Sequence, residues 1–146
     1  MSSQFAPQGV PASAPTVMTE TTRVSTSADD PPWDAFLERT QGGGHLQCSG
    51  WARSKAGLGW SAVRVVIQRD EQIVGGAQLL LRRLPIIGRV GLVVRGPVIE
   101  SPDDALMFTT LTRLQSLARR VKVSVLIVQP PMNGGWIDRK STRLDS

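Results

Sequence analysis

Two short segments of the chain place cationic side chains beside glycine and rigid residues. Residues 49–60 contain Trp51, Arg53 and Lys55, and residues 95–98 read Arg-Gly-Pro-Val. Lys and Arg bind phosphate through charge-assisted hydrogen bonds, and glycine lets a backbone approach a ligand closely. The two segments therefore predict a site for a large anionic substrate, although a solvated basic surface uses the same residue types.

The elements around the first segment follow from turn and capping residues. Two prolines at 31–32, followed by apolar residues on one face, predict a short helix that ends before the glycines at 42–44. Residues 45–48 are expected to be extended. Ser49 is expected to be the N-cap of a second helix that ends at Gly57 or Gly59.

Apolar patterning predicts a sheet after this helix. Residues 101–104, with Ser101 as N-cap, predict the start of a long amphipathic helix, and a continuous apolar strand follows at 123–128. Before that helix the pattern predicts a three-stranded antiparallel meander over 63–68, 73–84 and 89–99. This order resembles the start of an α/β (α+β) acetyltransferase-like (GNAT-type) fold, a mixed sheet with flanking helices, incomplete at the C-terminus.

Composition divides the chain into three parts. Residues 1–31 have few large apolar side chains and are expected to be a disordered tail, while 32–137 are expected to form one basic domain. The lone Cys48 is expected to be a small buried thiol. There is no apolar run with a cationic start as in secretory signals, and no stretch reaches the roughly 18 apolar residues of a membrane span, so a cytoplasmic protein is expected.

Residues 138–146 are expected not to belong to the natural protein. They show no apolar periodicity, and they resemble the translation of one reading frame of a common sequencing adapter with one residue changed. We therefore expect the natural protein to continue past Ile137.

The residues for several common chemistries are missing from the sequence. It has a single histidine, His45, and no zinc or P-loop pattern, so no metal site and no catalytic set is predicted. The junction at 97–104 contains two prolines and three carboxylates where coenzyme A enzymes of this fold have a glycine-rich turn. Because proline lacks an N–H and carboxylates repel phosphate, coenzyme A is not expected as a cofactor.

Taken in order, several segments resemble the FemABX family, aminoacyl-tRNA-dependent ligases that add amino acids to the stem peptide of peptidoglycan precursors. Members contain two acetyltransferase-like domains, and this chain resembles the first. The resemblance is carried by Trp33-Asp34-Ala35-Phe36, His45-Leu46-Gln47, Trp51-Ala52-Arg53-Ser54-Lys55, Gly59-Trp60, Ile73-Val74-Gly75-Gly76-Ala77-Gln78 and Arg95-Gly96-Pro97-Val98.

The resemblance implies a UDP-linked or lipid-linked muropeptide as acceptor and aminoacyl-tRNA as co-substrate, held mainly by the second domain. It also implies that Lys55, with Arg53 as a less certain companion, binds the precursor's phosphates, and it allows peripheral contact with the inner membrane face. An Asp that some members use near the attacking amine aligns with Gln129, which cannot accept a proton, so catalytic residues stay unassigned. The expected substrate groove consists of Trp51, Trp60, Arg95, Gly96 and Pro97.

Two alternatives stay open at this point. The chain could be an acetyltransferase-like enzyme that acylates another amine without tRNA. It could also be a small basic domain that binds nucleic acid or another anion without chemistry, although Tyr is absent and Phe36 and Phe108 are expected in the core.

Overall fold

The computed structural model describes residues 19–131 and the backbone of a short strand at 142–143. The helices are α1 (Pro31–Arg39), a 3-10 helix (His45–Gln47), α2 (Ser49–Ala56) and α3 (Asp104–Arg120). The strands are β1 (Glu20–Ser25), β2 (Ser61–Arg69), β3 (Gln72–Leu84), β4 (Gly88–Val94), β5 (Val98–Ile99), β6 (Val123–Gln129) and β7 (Thr142–Arg143). None of the described helices is long and apolar enough to cross a membrane.

The strands form one mixed sheet. Its order is β1-β2-β3-β4-β6-β7, and β5 pairs with β3 beyond the end of β4. The pairs are antiparallel except β4 with β6, which run parallel because the chain crosses over through α3 between them. The predicted mixed α/β sheet with flanking helices is confirmed.

Helices cover both faces of the sheet. Side chains on a strand alternate between its two sides, so apolar residues next to each other in β2 pack against different helices. On one face, Val65 of β2 packs in the same cluster as Leu114 of α3. On the other face, the neighbouring Val66 packs with Trp33 of α1. A Cβ on Gly76 would lie 2.8 Å from Cζ3 of Trp33, so this glycine in β3 is what lets α1 approach the sheet.

The predicted disordered tail over 1–31 is wrong for residues 20–25, which form β1 and pair along their whole length with β2. A low content of large apolar side chains does not exclude this strand, because an edge strand is held mainly by its backbone ladder. The ladder is reinforced by an ion pair between Arg69 and Glu20 at 3.0 Å. Residues 1–18 lie outside the described part of the chain.

The expectation that 138–146 are foreign to the protein falls largely outside the described residues. Within that segment the structure describes only the backbone of Thr142–Arg143, which pairs antiparallel with Leu126 and Val125 of β6.

Two local predictions around α2 are wrong. Residues 45–47 form a turn of 3-10 helix rather than an extended segment, in which the backbone N–H of Gln47 donates to Gly44 O at 3.0 Å. The N-cap of α2 is Cys48, whose Sγ accepts from Trp51 N at 3.4 Å, and Ser49 is the first helical residue. The Cys48 thiol is free as expected, but it is half-buried rather than buried.

Three predictions further along the chain also need correction. The strand expected over 89–99 is broken into β4 and β5 by residues 95–97. Asp103, not Ser101, caps α3, because its carboxylate accepts from Leu106 N at 3.1 Å. Phe108, expected in the core, is 72% exposed, since it lies off the α3 stripe that faces the sheet.

Candidate functional site

The side-chain amide of Gln47 takes the place of a backbone group where β4 breaks away from β3. Its Nε2 donates to Val94 O at 2.8 Å and to Gln78 O at 3.2 Å, and its Oε1 accepts from Gln78 N at 2.7 Å. A carboxamide carries donors and an acceptor like those of a peptide group, so it satisfies ladder groups that would otherwise be unpaired. The backbone of Gln47 is held as well, because its carbonyl accepts from Nε1 of Trp33 at 2.7 Å.

Gly96 makes room for this amide. A Cβ at position 96 would lie 3.0 Å from both Cδ and Oε1 of Gln47 and 3.0 Å from Cγ1 of Val93. The Gly96 amide donates to Gln129 O at 3.0 Å, which joins the broken strand to the end of β6. The segments 45–47 and 95–97, far apart in the sequence, therefore form a single junction.

Arg95 lies at this junction in the left-handed conformation, with φ of 60°. This conformation is uncommon for residues other than glycine, and strained residues of this kind are frequent where ligands bind. Arg95 lines a cavity of about 320 Å³ together with the glycines at 42–44, His45, Leu46 and Pro131. None of these lining residues is acidic, and Arg95 brings a positive charge to the cavity.

Lys55 lies over the ring of Trp51, with Nζ 4.8 Å from the ring centroid. The ring of His45 packs edge-on against Trp51, with centroids 5.8 Å apart. Because His45 also lines the cavity at Arg95, these residues form one continuous surface from α2 to the broken strand. Nε1 of Trp51 is buried and has no hydrogen-bond partner in the described part of the chain.

Arg53 lies on another side of α2, next to Trp60 in the loop that follows the helix. Both line a cavity of about 100 Å³ next to Arg64, and Arg53 forms an ion pair with Asp29 in which both side chains are exposed. The guanidinium of Arg82 stacks over Trp60, 5.7 Å from the ring centroid. The structure thus connects Trp51, Lys55 and Arg95 of the predicted site. Arg53 and Trp60 lie elsewhere, and Gly96 and Pro97 are buried rather than lining a groove.

Arg64 supports α2 from beneath. Its side chain has no exposed surface; Nε donates to Oε1 of Gln78 at 2.8 Å, and its two terminal nitrogens donate to Ser27 O at 2.8 Å and to Oγ of Ser49 at 3.4 Å. Burial lowers the pKa of Arg64, and the nearby carboxylates of Asp30 and Asp34 oppose this effect. A buried cation at the base of α2 therefore fixes the helix that carries Lys55.

Asp30 connects β1, α1 and α2. Its carboxylate accepts two hydrogen bonds from Arg23 at 2.9 Å and caps α1 by accepting from Trp33 N at 3.2 Å, while its own amide donates to Oγ of Ser49 at 2.9 Å. Burial raises the pKa of Asp30, but hydrogen bonds from Arg23, Ser25 and Trp33 outweigh it and lower the pKa to about 2.

The junction before α3 is unsuited to a diphosphate. The Leu106 amide in the first turn is already paired with the carboxylate of Asp103, and Glu100 and Asp104 add two further acidic groups. Coenzyme A, the cofactor of many enzymes with an acetyltransferase-like fold, does not fit these residues. Within the described residues no group of three or more His, Cys, Asp or Glu is placed to hold a metal ion.

Gln47, Arg64 and Gln78 form the framework of the site and were not predicted as such. Arg64 and Gln78 carried a signal, because each interrupts an apolar strand and so places a polar group in the core. The sequence around Gln47 gives no such signal apart from its place in a segment that resembles the family. Its hydrogen-bond partners lie 31 and 47 residues away, so no local pattern records them.

The mixed sheet, with its parallel pair β4–β6 joined through α3, defines a protein of acetyltransferase-like fold. A solved acetyltransferase from Trypanosoma brucei shares it, with a TM-score of 0.54, 19% identity, and coverage of 88% of this chain and 100% of that chain. The crystal structure of FemX superposes with a TM-score of 0.65 and 25% identity, covering 77% of this chain and 27% of that one.

Residues 29–141 match the FemAB family, and the chain belongs to that family. Among curated relatives, the lipid II:glycine glycyltransferase of Staphylococcus saprophyticus is 29% identical over 102 residues, which are 69% of this chain and 25% of the relative. The chain therefore spans about a quarter of the length of that relative.

Proposed function

We propose that the chain is the first acetyltransferase-like domain of an aminoacyltransferase that extends the stem peptide of a peptidoglycan precursor. Membership of the FemAB family and the name of the curated relative, a lipid II:glycine glycyltransferase, support a lipid-linked muropeptide as acceptor. The observation that carries the proposal is the continuous surface from Lys55 through Trp51 and His45 to Arg95.

Lys55 is the proposed ligand for the diphosphate of the acceptor. A cation held over an aromatic ring at an accessible site gains only about 0.5–1 kcal/mol, so its ammonium group can leave Trp51 for a phosphate at little cost. Trp51 provides a flat wall beneath Lys55, and Arg95 adds a second charge at the cavity. Arg53, already paired with Asp29, is proposed only as a secondary contact.

The donor in this proposal is aminoacyl-tRNA, and coenzyme A takes no part. The amine of the stem peptide attacks the ester carbonyl, a C–N bond forms, and the ester C–O bond breaks as the tRNA hydroxyl leaves with a proton. Gln129 stands at the end of β6 as an amide and cannot accept a proton. We therefore propose that this domain binds and orients the acceptor, and that it is inactive without a second domain that holds the tRNA.

The proposal is tested by binding of a UDP-linked muropeptide to the 146-residue chain, measured by isothermal titration calorimetry. Lys55→Ala is expected to weaken binding about tenfold or more, since a charge-assisted hydrogen bond contributes about 1.5–3 kcal/mol. Lys140→Ala removes the same charge from a residue to which the proposal gives no role, and it is the control.

Equal losses for the two variants would refute the assignment of Lys55, and no binding of the precursor by the unmodified chain would refute the acceptor. Turnover of an acyl thioester without tRNA would instead favour an acetyltransferase-like enzyme. A salt-dependent affinity for RNA without precursor binding would favour a non-catalytic basic domain.

A further inference from the structure

Three segments meet at one end of the sheet, where β3 turns into β4. The hairpin at 81–90 forms the centre, because Leu84 pairs with Gly88. The loop at 57–61 lies beside it, since Ser61 at the start of β2 pairs with Leu81. The connection at 117–124 lies on its other side, since Arg89 pairs with Val123 at the start of β6. We call this end the hairpin end.

The hairpin end is strongly basic. Its three segments contain no Asp or Glu. The carboxylates of the β2–β3 turn (Asp70, Glu71) and of the approach to α3 (Glu100, Asp103, Asp104) lie at the opposite end of the sheet. The charge of the sheet is thus separated along the strands. The cationic residues of the hairpin end are Arg82, Arg83, Arg89, Arg119, Arg120 and Lys122.

Aliphatic side chains project from this basic surface. Ile86 is 105% exposed and Ile87 is 52% exposed at the tip of the hairpin, and Leu58 is 60% exposed in the adjacent loop. Leu and Ile are common inside proteins, and their grouping at one tip, surrounded by cations, is a pattern typical of an interaction surface.

Folding stability does not account for Ile86. Its φ is 72°, a left-handed conformation in which a β-branched residue is an outlier and glycine or asparagine is favoured. Its side chain is fully exposed, so it gains nothing from the core of this domain. Burial of the Ile86 side chain can therefore lower the free energy only when an apolar environment outside this chain surrounds it.

We propose that the hairpin end docks this domain on an anionic lipid bilayer, with Ile86 and Ile87 inserted between the headgroups. This inference rests on the proposed function for its setting, because a lipid-linked acceptor lies in a membrane. The ring of cations attracts anionic headgroups while the aliphatic tips enter the apolar boundary. A bilayer fits better than RNA, because the most exposed apolar side chains of the hairpin end are aliphatic rather than the aromatic rings on which bases stack. The aromatic ring of this end, Trp60, already lies against the guanidinium of Arg82.

The test is co-sedimentation of the 146-residue chain with vesicles that contain no precursor. Equal parts of phosphatidylglycerol and phosphatidylcholine are compared with phosphatidylcholine alone, so binding is scored independently of the acceptor. The double variant Ile86→Asn, Ile87→Asn is expected to lose about tenfold in affinity. Its thermal midpoint should be unchanged or higher, because asparagine tolerates the left-handed conformation at position 86.

Phe108→Asn is the matched control, since Phe108 is 72% exposed on α3 outside the three segments. Arg83→Gln is expected to lose about fivefold on anionic vesicles, because one cation near such a surface contributes about 1 kcal/mol. No preference of the unmodified chain for anionic vesicles, or an equal loss in Phe108→Asn, would overturn the proposal. Tighter binding to tRNA than to vesicles, with no dependence on Ile86 and Ile87, would overturn it in favour of RNA.

Discussion

Gly96→Ala tests whether the junction depends on the carboxamide of Gln47. The new Cβ would lie 3.0 Å from Cδ and Oε1 of Gln47, so the buried amide has to move. A shift of a few tenths of an ångström strains the hydrogen bonds of this amide with Val94 O, Gln78 O and Gln78 N, whose lengths are 2.8, 3.2 and 2.7 Å. We expect the strained hydrogen bonds and the close contact with Val93 to destabilise the variant by about 1–2 kcal/mol.

The measurement is equilibrium urea unfolding of the 146-residue chain followed by tryptophan fluorescence. Gly44→Ala is the matched control, because nothing lies within 4 Å of a Cβ at that position and its φ of −155° suits alanine. A Gln47→Ala background provides a second comparison, since truncating the amide leaves room for the new methyl group. There the cost of Gly96→Ala should fall to the contribution of the Val93 contact.

Equal midpoints for Gly96→Ala and Gly44→Ala would refute the reasoning. A cost of Gly96→Ala that stays the same with and without the Gln47 side chain would also refute it, because the effect would then arise from the backbone of residue 96 alone.

Two further predictions concern the polar framework. Asp30→Asn is expected to lower the free energy of unfolding at pH 7 by about 2 kcal/mol, because the folded pKa of about 2 lies below the ordinary 3.8. This stabilisation is complete above pH 4 and is lost as the pH falls toward 2, so urea midpoints of variant and parent should converge there, and a constant gap would contradict the assignment. Arg64→Met is expected to cost about 2–3 kcal/mol, because it leaves Gln78 and Ser27 without their buried partner. Arg69→Met, which breaks only the outer pair with Glu20, should cost less than about 1 kcal/mol in the same assay, and a similar loss in both variants would exclude a special role for Arg64.

The elements with strong local signals were predictable from the sequence. α1 begins at the two prolines, α3 follows its apolar stripe, and the paired strands β2 and β3 follow their apolar pattern. These signals lie within a few residues of one another, so hydrophobic periodicity was enough to indicate the mixed sheet.

What the sequence did not reveal depends on partners that are distant along the chain. The break between β4 and β5 exists because a side chain from residue 47 fills the ladder, and no pattern near residue 95 records that. β1 was missed for a related reason, because its stability comes from pairing with β2 rather than from its own composition. The candidate site shows the same division. Lys55 and Arg53 lie on different sides of α2, as a spacing of two residues on a helix predicts. The continuous surface from Lys55 to Arg95, in contrast, depends on where His45 lies in the folded chain.

The bridge made by Gln47 also determines the order in which the domain can assemble. The contacts of β2, β3 and β4 are between strands adjacent in sequence and close short loops, whereas Gln47 joins residues 31 and 47 positions away. The groups it binds are in position only after the meander has formed, so the layer of α1 and α2 docks late. Once docked, the layer buries Trp33 and Phe36 fully, so separating it from the sheet exposes a whole cluster of the core together with the surface that carries Lys55.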